Sequence, residues 1–102
     1  MRTIKQVGPF KRDLKRESKG PHRKFLQAEF VALVAVIASD QPLEPRYRDH
    51  ALSGDWKNHR DCHVKPDLVL IYCKPDEETL QLVRLGSHAE LGWLGAELGV
   101  QV

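Results

Sequence analysis

Four of the chain's five histidines, His50, His59, His63 and His88, lie from residue 50 onward. Histidine has an ordinary pKa of about 6.5, so it can take or give a proton near neutrality. Asp67 and Arg84 flank two apolar runs, residues 68–74 and 79–85, that read as a β-hairpin. In an antiparallel hairpin the start of the first strand lies beside the end of the second. Asp67 and Arg84 are therefore expected to be neighbours, with His88 just beyond Arg84 and His63 four residues before Asp67. Two histidines, a carboxylate and a guanidinium at one sheet edge can cut RNA without a metal. A base takes the 2′-hydroxyl proton, an acid protonates the departing 5′-oxygen, and arginine grips two phosphate oxygens of the charged intermediate. The plain structural alternative is an ion pair between Asp67 and Arg84, worth about 0–1 kcal/mol if exposed.

The elements that must position these groups follow from periodicity. Residues 1–7 form a candidate strand ended by Gly8-Pro9, and residues 10–19 a short helix with Phe10 and Leu14 on one face. Gly20-Pro21 breaks the chain. Residues 22–39 give the clearest helix, with Leu26, Phe30, Leu33, Val34 and Ile37 in one apolar stripe. Residues 42–56 are rich in turn formers. Strands are expected at 60–64, 68–74 and 79–85, with a hairpin turn at 75–78 and an optional short strand earlier. A last short helix spans about 88–98, where Ser87 and Glu90 make a capping-box pattern. The predicted class is α+β: a mainly antiparallel twisted sheet, an N-terminal helical hairpin on one face and a short C-terminal helix.

A chain of 102 residues makes one domain. Its longest apolar run, residues 30–38, is far below the roughly 20 needed to cross a bilayer. No secretory signal pattern precedes Pro21, so a cytoplasmic protein without a membrane partner is expected. Cys62 and Cys73 read as reduced thiols. Cys62 and His63 would point to opposite faces of a strand, and His59/His63 is the sole metal-like spacing, so neither metal nor other cofactor is expected. Residues 1–24 hold nine Lys/Arg against two Asp/Glu, and the remainder seven against twelve. A basic face of this kind suits a polyanion such as RNA, or is a solvated helix surface. His22 and His59 read as surface residues, Trp56 as a loop or core anchor and Tyr72 as core.

Three blocks occur in order: Asp49-His50-x-Leu52-x-Gly54-x-Trp56, Arg60-Asp61-x-His63-Val64-x-Pro66-Asp67 and Arg84-x-Gly86-x-His88. Together, between Tyr47 and Leu91, they resemble the YafQ family within the RelE/ParE superfamily of toxins. The N-terminal half agrees in pattern more than in residues. The resemblance implies the RelE/ParE-like fold and the toxin of a type II toxin–antitoxin system: a metal-independent endoribonuclease (mRNA interferase) that cuts translated mRNA in the ribosomal decoding site. It also implies a cognate, acidic antitoxin.

On this resemblance His50, His63, Asp67 and His88 fall on acid–base positions and Arg84 on the phosphate-stabilising one. His88 is assigned as the general acid and His50 and Asp67 as proton acceptors, with His63 tuning or sharing that work; the labels are exchangeable. Lys11, Arg12, Lys15, Arg16, Arg60, Lys65 and Trp93 are the candidate RNA contacts. The family commonly has tryptophan where this chain has Leu68 and an aromatic residue where it has Gly92, so Trp93 is the candidate stacking substitute. Residues 93–102 run past the family's usual end. The alternatives are a ParE-like toxin that binds DNA gyrase and cuts nothing, and a catalytically silent RNA- or partner-binding module.

Overall fold

The computed structural model describes residues 1–91. In chain order the elements are β1 (Thr3–Gln6), α1 (Gly8–Glu17), α2 (Arg23–Gln27), α3 (Glu29–Ala38), β2 (His50–Ala51), β3 (His59–Lys65), β4 (Leu68–Asp76) and β5 (Thr79–Gly86). Single 3₁₀ turns at Pro45–Tyr47 and Gly54–Trp56 flank β2. The sheet order is β1-β5-β4-β3-β2. β1 runs parallel to β5, and the other pairings are antiparallel.

α1 starts where Pro9 sits in the first turn, the position where a missing N–H costs nothing, and ends with Lys15 and Arg16 at the negative end of the helix dipole. The expected helix over 22–39 is two helices, broken at Ala28 with φ −133° and ψ −73°. No glycine or proline announces the break. Both halves keep their apolar residues on the sheet, since Leu26, Phe30, Leu33, Val34 and Ile37 are all buried. Phe25 packs on Phe30 across the break at a centroid distance of 6.1 Å. Periodicity reports which face is buried, and that face is unchanged.

Six consecutive residues of β4, Leu68–Cys73, are buried because both sheet faces are covered. Leu68, Leu70 and Tyr72 meet the helices in a core that includes Phe10, Phe30, Cys62, Val64, Leu80, Leu82 and Leu85. Val69 and Ile71 face the other way and pack with Leu52 and Leu91, flanked by Trp56 and Val83. β5 carries a bulge: Ile71 opposes Arg84 while Tyr72 opposes Leu82, so Val83 is the extra residue. Ser87 and Glu90 bond reciprocally, Ser87 N–H to Glu90 Oε1 at 2.9 Å and Glu90 N–H to Ser87 Oγ at 3.0 Å, which is the capping box read from the sequence. Most of the expected C-terminal helix lies outside the described residues.

Phe10 is fully buried and stacks on Phe30 at 6.4 Å, joining α1 to α3. Phe10→Ala is expected to cost about 3–5 kcal/mol of stability, read as a lower urea midpoint at unchanged slope.

Candidate functional site

Directly opposed residues in a sheet share a face. One row across the strands reads His50, Asp61, Ile71 and Arg84, and the next reads His63, Val69 and Gly86. Both rows lie on the face away from the helices. Along β3 the two-residue period sends Cys62 and Val64 into the helical core and Asp61 and His63 to this second face. His88 joins them from the capped turn after β5. The His63 and His88 rings meet edge to face at 4.9 Å, and those of His50 and His63 are 6.4 Å apart.

Asp61 lies under the histidines and is only 2% exposed. Its Oδ1 is 3.7 Å from His63 Nε2, longer than a hydrogen bond, and both Asp61 Oδ1 and His88 Nε2 are buried without a hydrogen-bond partner. Burial pushes the Asp61 carboxyl up, although His50, His63 and His88 draw it down. Burial likewise lowers His63, against the pull of Asp61 and with help from the other nearby cations. Both shifts favour uncharged forms. His50 Nδ1 is 2.6 Å from the Arg48 carbonyl. A carbonyl can only accept, so the proton sits on Nδ1 and the neutral ring keeps its lone pair on Nε2.

One donor atom each from Asp61, His63 and His88 lies within 4.8 Å of the others, a set able to hold a divalent ion that sequence spacing did not show. Beside it a cleft of about 520 Å³ is lined by Arg46, Tyr47, Arg48, His63, Val64, Lys65, Pro66 and His88. Arg46 stacks over the Tyr47 ring at 4.7 Å, and Lys65 Nζ lies 4.7 Å above the Phe25 ring.

His50, His63 and His88 are thus brought together, but Asp67 and Arg84 are not paired with each other. The register puts Arg84 opposite Ile71, four residues along from Asp67. Asp67, in the β3–β4 turn with its side chain 70% exposed, pairs with His22 Nε2 at 3.1 Å. Arg84 instead pairs with the buried Asp13 of α1 at 2.6 Å. Burial raises the Asp13 carboxyl, but bonds from Arg84 and the Leu85 N–H outweigh it and the net shift is downward.

Among the expected RNA contacts, Lys65 lines the cleft, whereas Lys11, Arg12 and Lys15 are exposed on α1. Two others have intramolecular work. Arg60 sits on the helix face and is tied to Asp49, which also accepts from the Tyr72 hydroxyl at 2.7 Å. Arg16 bonds Asp13, Glu17, Glu90 and the Leu85 carbonyl. Trp93 and Gly92 lie outside the described residues.

The sequence reading missed Asp61 as a site residue, and Arg46, Tyr47 and Arg48. Asp61 was legible as the residue two before His63 in a strand. The motif glycine, Gly86, is explained by space: a Cβ there would lie 3.0 Å from Arg16 Nη2 and 3.4 Å from Glu90 Oε1.

A family model described as "Bacterial toxin of type II toxin-antitoxin system, YafQ" matches residues 2–92. The chain belongs to the YafQ toxin family. It is 37% identical over 90 residues to the mRNA interferase toxin YafQ of Escherichia coli K12, covering 88% of this chain and 95% of that protein. A metal-bound toxin from Helicobacter pylori has the same fold, with 48% identity, a TM-score of 0.76 and coverage of 89% of this chain and 99% of that one. YafQ in the E. coli DinJ-YafQ toxin-antitoxin complex superposes with a TM-score of 0.71 at 37% identity, over 88% of this chain and 96% of its own. The five-stranded, mostly antiparallel sheet with its helices is therefore the YafQ version of the RelE-like α+β fold.

The electrostatics give a direct check. In an NMR titration the His63 ring is expected to gain its proton below the usual histidine range. Asp61→Asn, which removes the attraction that favours the charged ring, should move that titration lower still. An unchanged or higher His63 midpoint in Asp61→Asn would contradict this account.

Proposed function

We propose that this chain is the toxin of a type II toxin–antitoxin pair and an mRNA interferase, cutting RNA by acid–base chemistry with the substrate's own 2′-hydroxyl as nucleophile. The observation that carries the reading is the group of three histidines around a buried carboxylate, opening onto a cationic cleft. A gyrase-binding toxin or a silent binding module has no need of such a set.

His50 Nε2, with its proton fixed on Nδ1, takes the 2′-hydroxyl proton. The 2′-oxygen attacks the phosphorus, and the 5′-oxygen leaves with a proton from His88. The product ends are a 2′,3′-cyclic phosphate and a 5′-hydroxyl. His63, kept neutral by burial and placed between the two rings, relays or tunes their protons. Arg84 balances charge on the phosphorane, a contribution that oriented donors make most strongly where water is excluded. Asp67, beside the cleft-lining Pro66, enters as a group at the rim, since its own partner is His22.

Arg48, Lys65 and Tyr47 form the proposed RNA path, with phosphate contacts from the cations and stacking on the ring. The message is taken as presented in the ribosomal decoding site, and an acidic cognate antitoxin as the inhibitor; the related E. coli YafQ is found in a toxin-antitoxin complex with DinJ. No helix among the described residues is long and apolar enough to cross a membrane. A cytoplasmic site of action follows from the proposed substrate.

The test is cleavage of a translated mRNA by purified protein with ribosomes. Cut ends of the stated chemistry are expected, unaffected by chelator, and His88→Ala should slow the single-turnover rate by about 10²–10⁴-fold. Intact message with wild-type protein on active ribosomes would refute the nuclease reading, and gyrase poisoning beside intact message would establish the alternative.

The same chemistry makes a divalent ion an inhibitor. An ion held by Asp61, His63 and His88 would take the ring nitrogens through which His88 carries its proton and His63 relays or tunes the others, and the related H. pylori toxin is metal-bound. Added zinc is therefore expected to slow cleavage and chelator to restore it. Acceleration by zinc would instead mean that the metal takes part.

A further inference from the structure

β1 reaches β5 only as far as the Gln6–Leu82 pair, so the outer edge of β5 beyond Leu82 has no strand beside it. Two side chains of α1 close it. Asp13 Oδ2 accepts the Leu85 N–H at 3.0 Å, and Arg16 Nη2 donates to the Leu85 carbonyl at 2.9 Å. Asp13 is 3% exposed and takes four donors in all. Besides Leu85 these are Arg84 Nε at 2.6 Å, Arg84 Nη2 at 3.3 Å and Arg16 Nη1 at 3.0 Å. Four is the capacity of a carboxylate. Arg84 itself stands in the row that runs through Ile71 and Asp61 to His50.

We infer that Asp13 is the positioning residue for Arg84. Its buried carboxylate fixes the guanidinium by the Nε and Nη2 edge and leaves the Nη1 donors for the scissile phosphate. The inference rests on the nuclease reading above. An arginine side chain alone samples many rotamers. A two-point contact to one carboxylate sets both the plane and the rotation of the guanidinium, which a single-point ion pair does not. Arg16 extends the same hold to the His88 turn, because its Nε pairs with Glu90 Oε2 at 3.0 Å and Glu90 Oε1 accepts the Ser87 N–H. One helix thereby fixes Arg84 and the turn that carries His88 relative to each other.

The experiment is a double-mutant cycle, with kcat and KM measured on ribosome-bound message for wild type, Asp13→Asn, Arg84→Ala and the double variant. Asp13→Asn keeps a side-chain oxygen for Leu85 but loses the charge. It should lower kcat on the order of 10²-fold with KM nearly unchanged, the scale of a misplaced catalytic group. In the Arg84→Ala background the same substitution should change kcat by less than about threefold, as expected for residues acting as a unit. Equal losses in both backgrounds would reduce Asp13 to a clamp for the β5 edge and overturn the inference, as would no loss in the wild-type background.

NMR of the Arg84 guanidinium in the wild-type protein gives a readout that needs no variant to fold. Hindered rotation and a well-shifted Nε–H are expected, and a freely averaging guanidinium overturns the inference. A wild type that leaves translated message intact overturns the nuclease reading and this inference with it. Cleavage with equal losses overturns this inference alone.

Discussion

The two-residue alternation of β3 is the constraint on which the rest of the molecule depends. Cys62 and Val64 complete the helical core, and Asp61 and His63 face the opposite way. A sheet with one dry face and one proposed catalytic face works only if the second face is also roofed, because an acid–base group gains its altered proton affinity from lost water. Leu52 and Leu91 supply that roof together with Val69 and Ile71. The same apolar cover strips water from Asp61 and His63 while leaving the cleft beside them open. Slippage of β3 by one residue would exchange the faces, placing a carboxylate and an imidazole in the core and a thiol at the site.

Closure of the sheet presents a second problem with a related solution. β5 has to be an interior strand at one end and an edge at the other, since β1 is only four residues long. An unsatisfied edge beside a reaction centre admits water and invites foreign strands. The polar side chains of α1 stand in for a neighbouring strand at Leu85, and the bulge at Val83 turns Arg84 toward them. A helix whose basic residues read as an RNA-facing surface is thus partly a structural brace. Lys11, Arg12 and Lys15 remain exposed, while Arg16 is held by four partners.

Features governed by local period were legible in the sequence. The β4–β5 hairpin, the presence of α1 (expected at 10–19, found at Gly8–Glu17), the buried stripe of α3 and the Ser87–Glu90 cap all follow from residues within a few positions of each other. The convergence of His50, His63 and His88 came from the family motif, and the register supplies its physical basis. Three features were not legible. The break at Ala28 leaves the buried set untouched, so no periodic signal marks it. The expected Asp67–Arg84 contact assumed a symmetric hairpin, and register with a bulge decided otherwise. Asp13 binds a partner 71 residues away, a contact that a single sequence gives no means to see.

His50 sits on a strand of only two residues at the outer edge of the sheet, whereas His63 belongs to a seven-residue strand that pairs along its length with the central β4. Opening free energy follows such differences: short edge segments exchange with solvent by local fluctuation, and central strands only on global unfolding. The proposed catalytic group is therefore split between two cooperative units of unequal persistence. Mild heat or denaturant would silence the molecule by detaching the proposed base while the sheet, the core and the remaining histidines stayed in place.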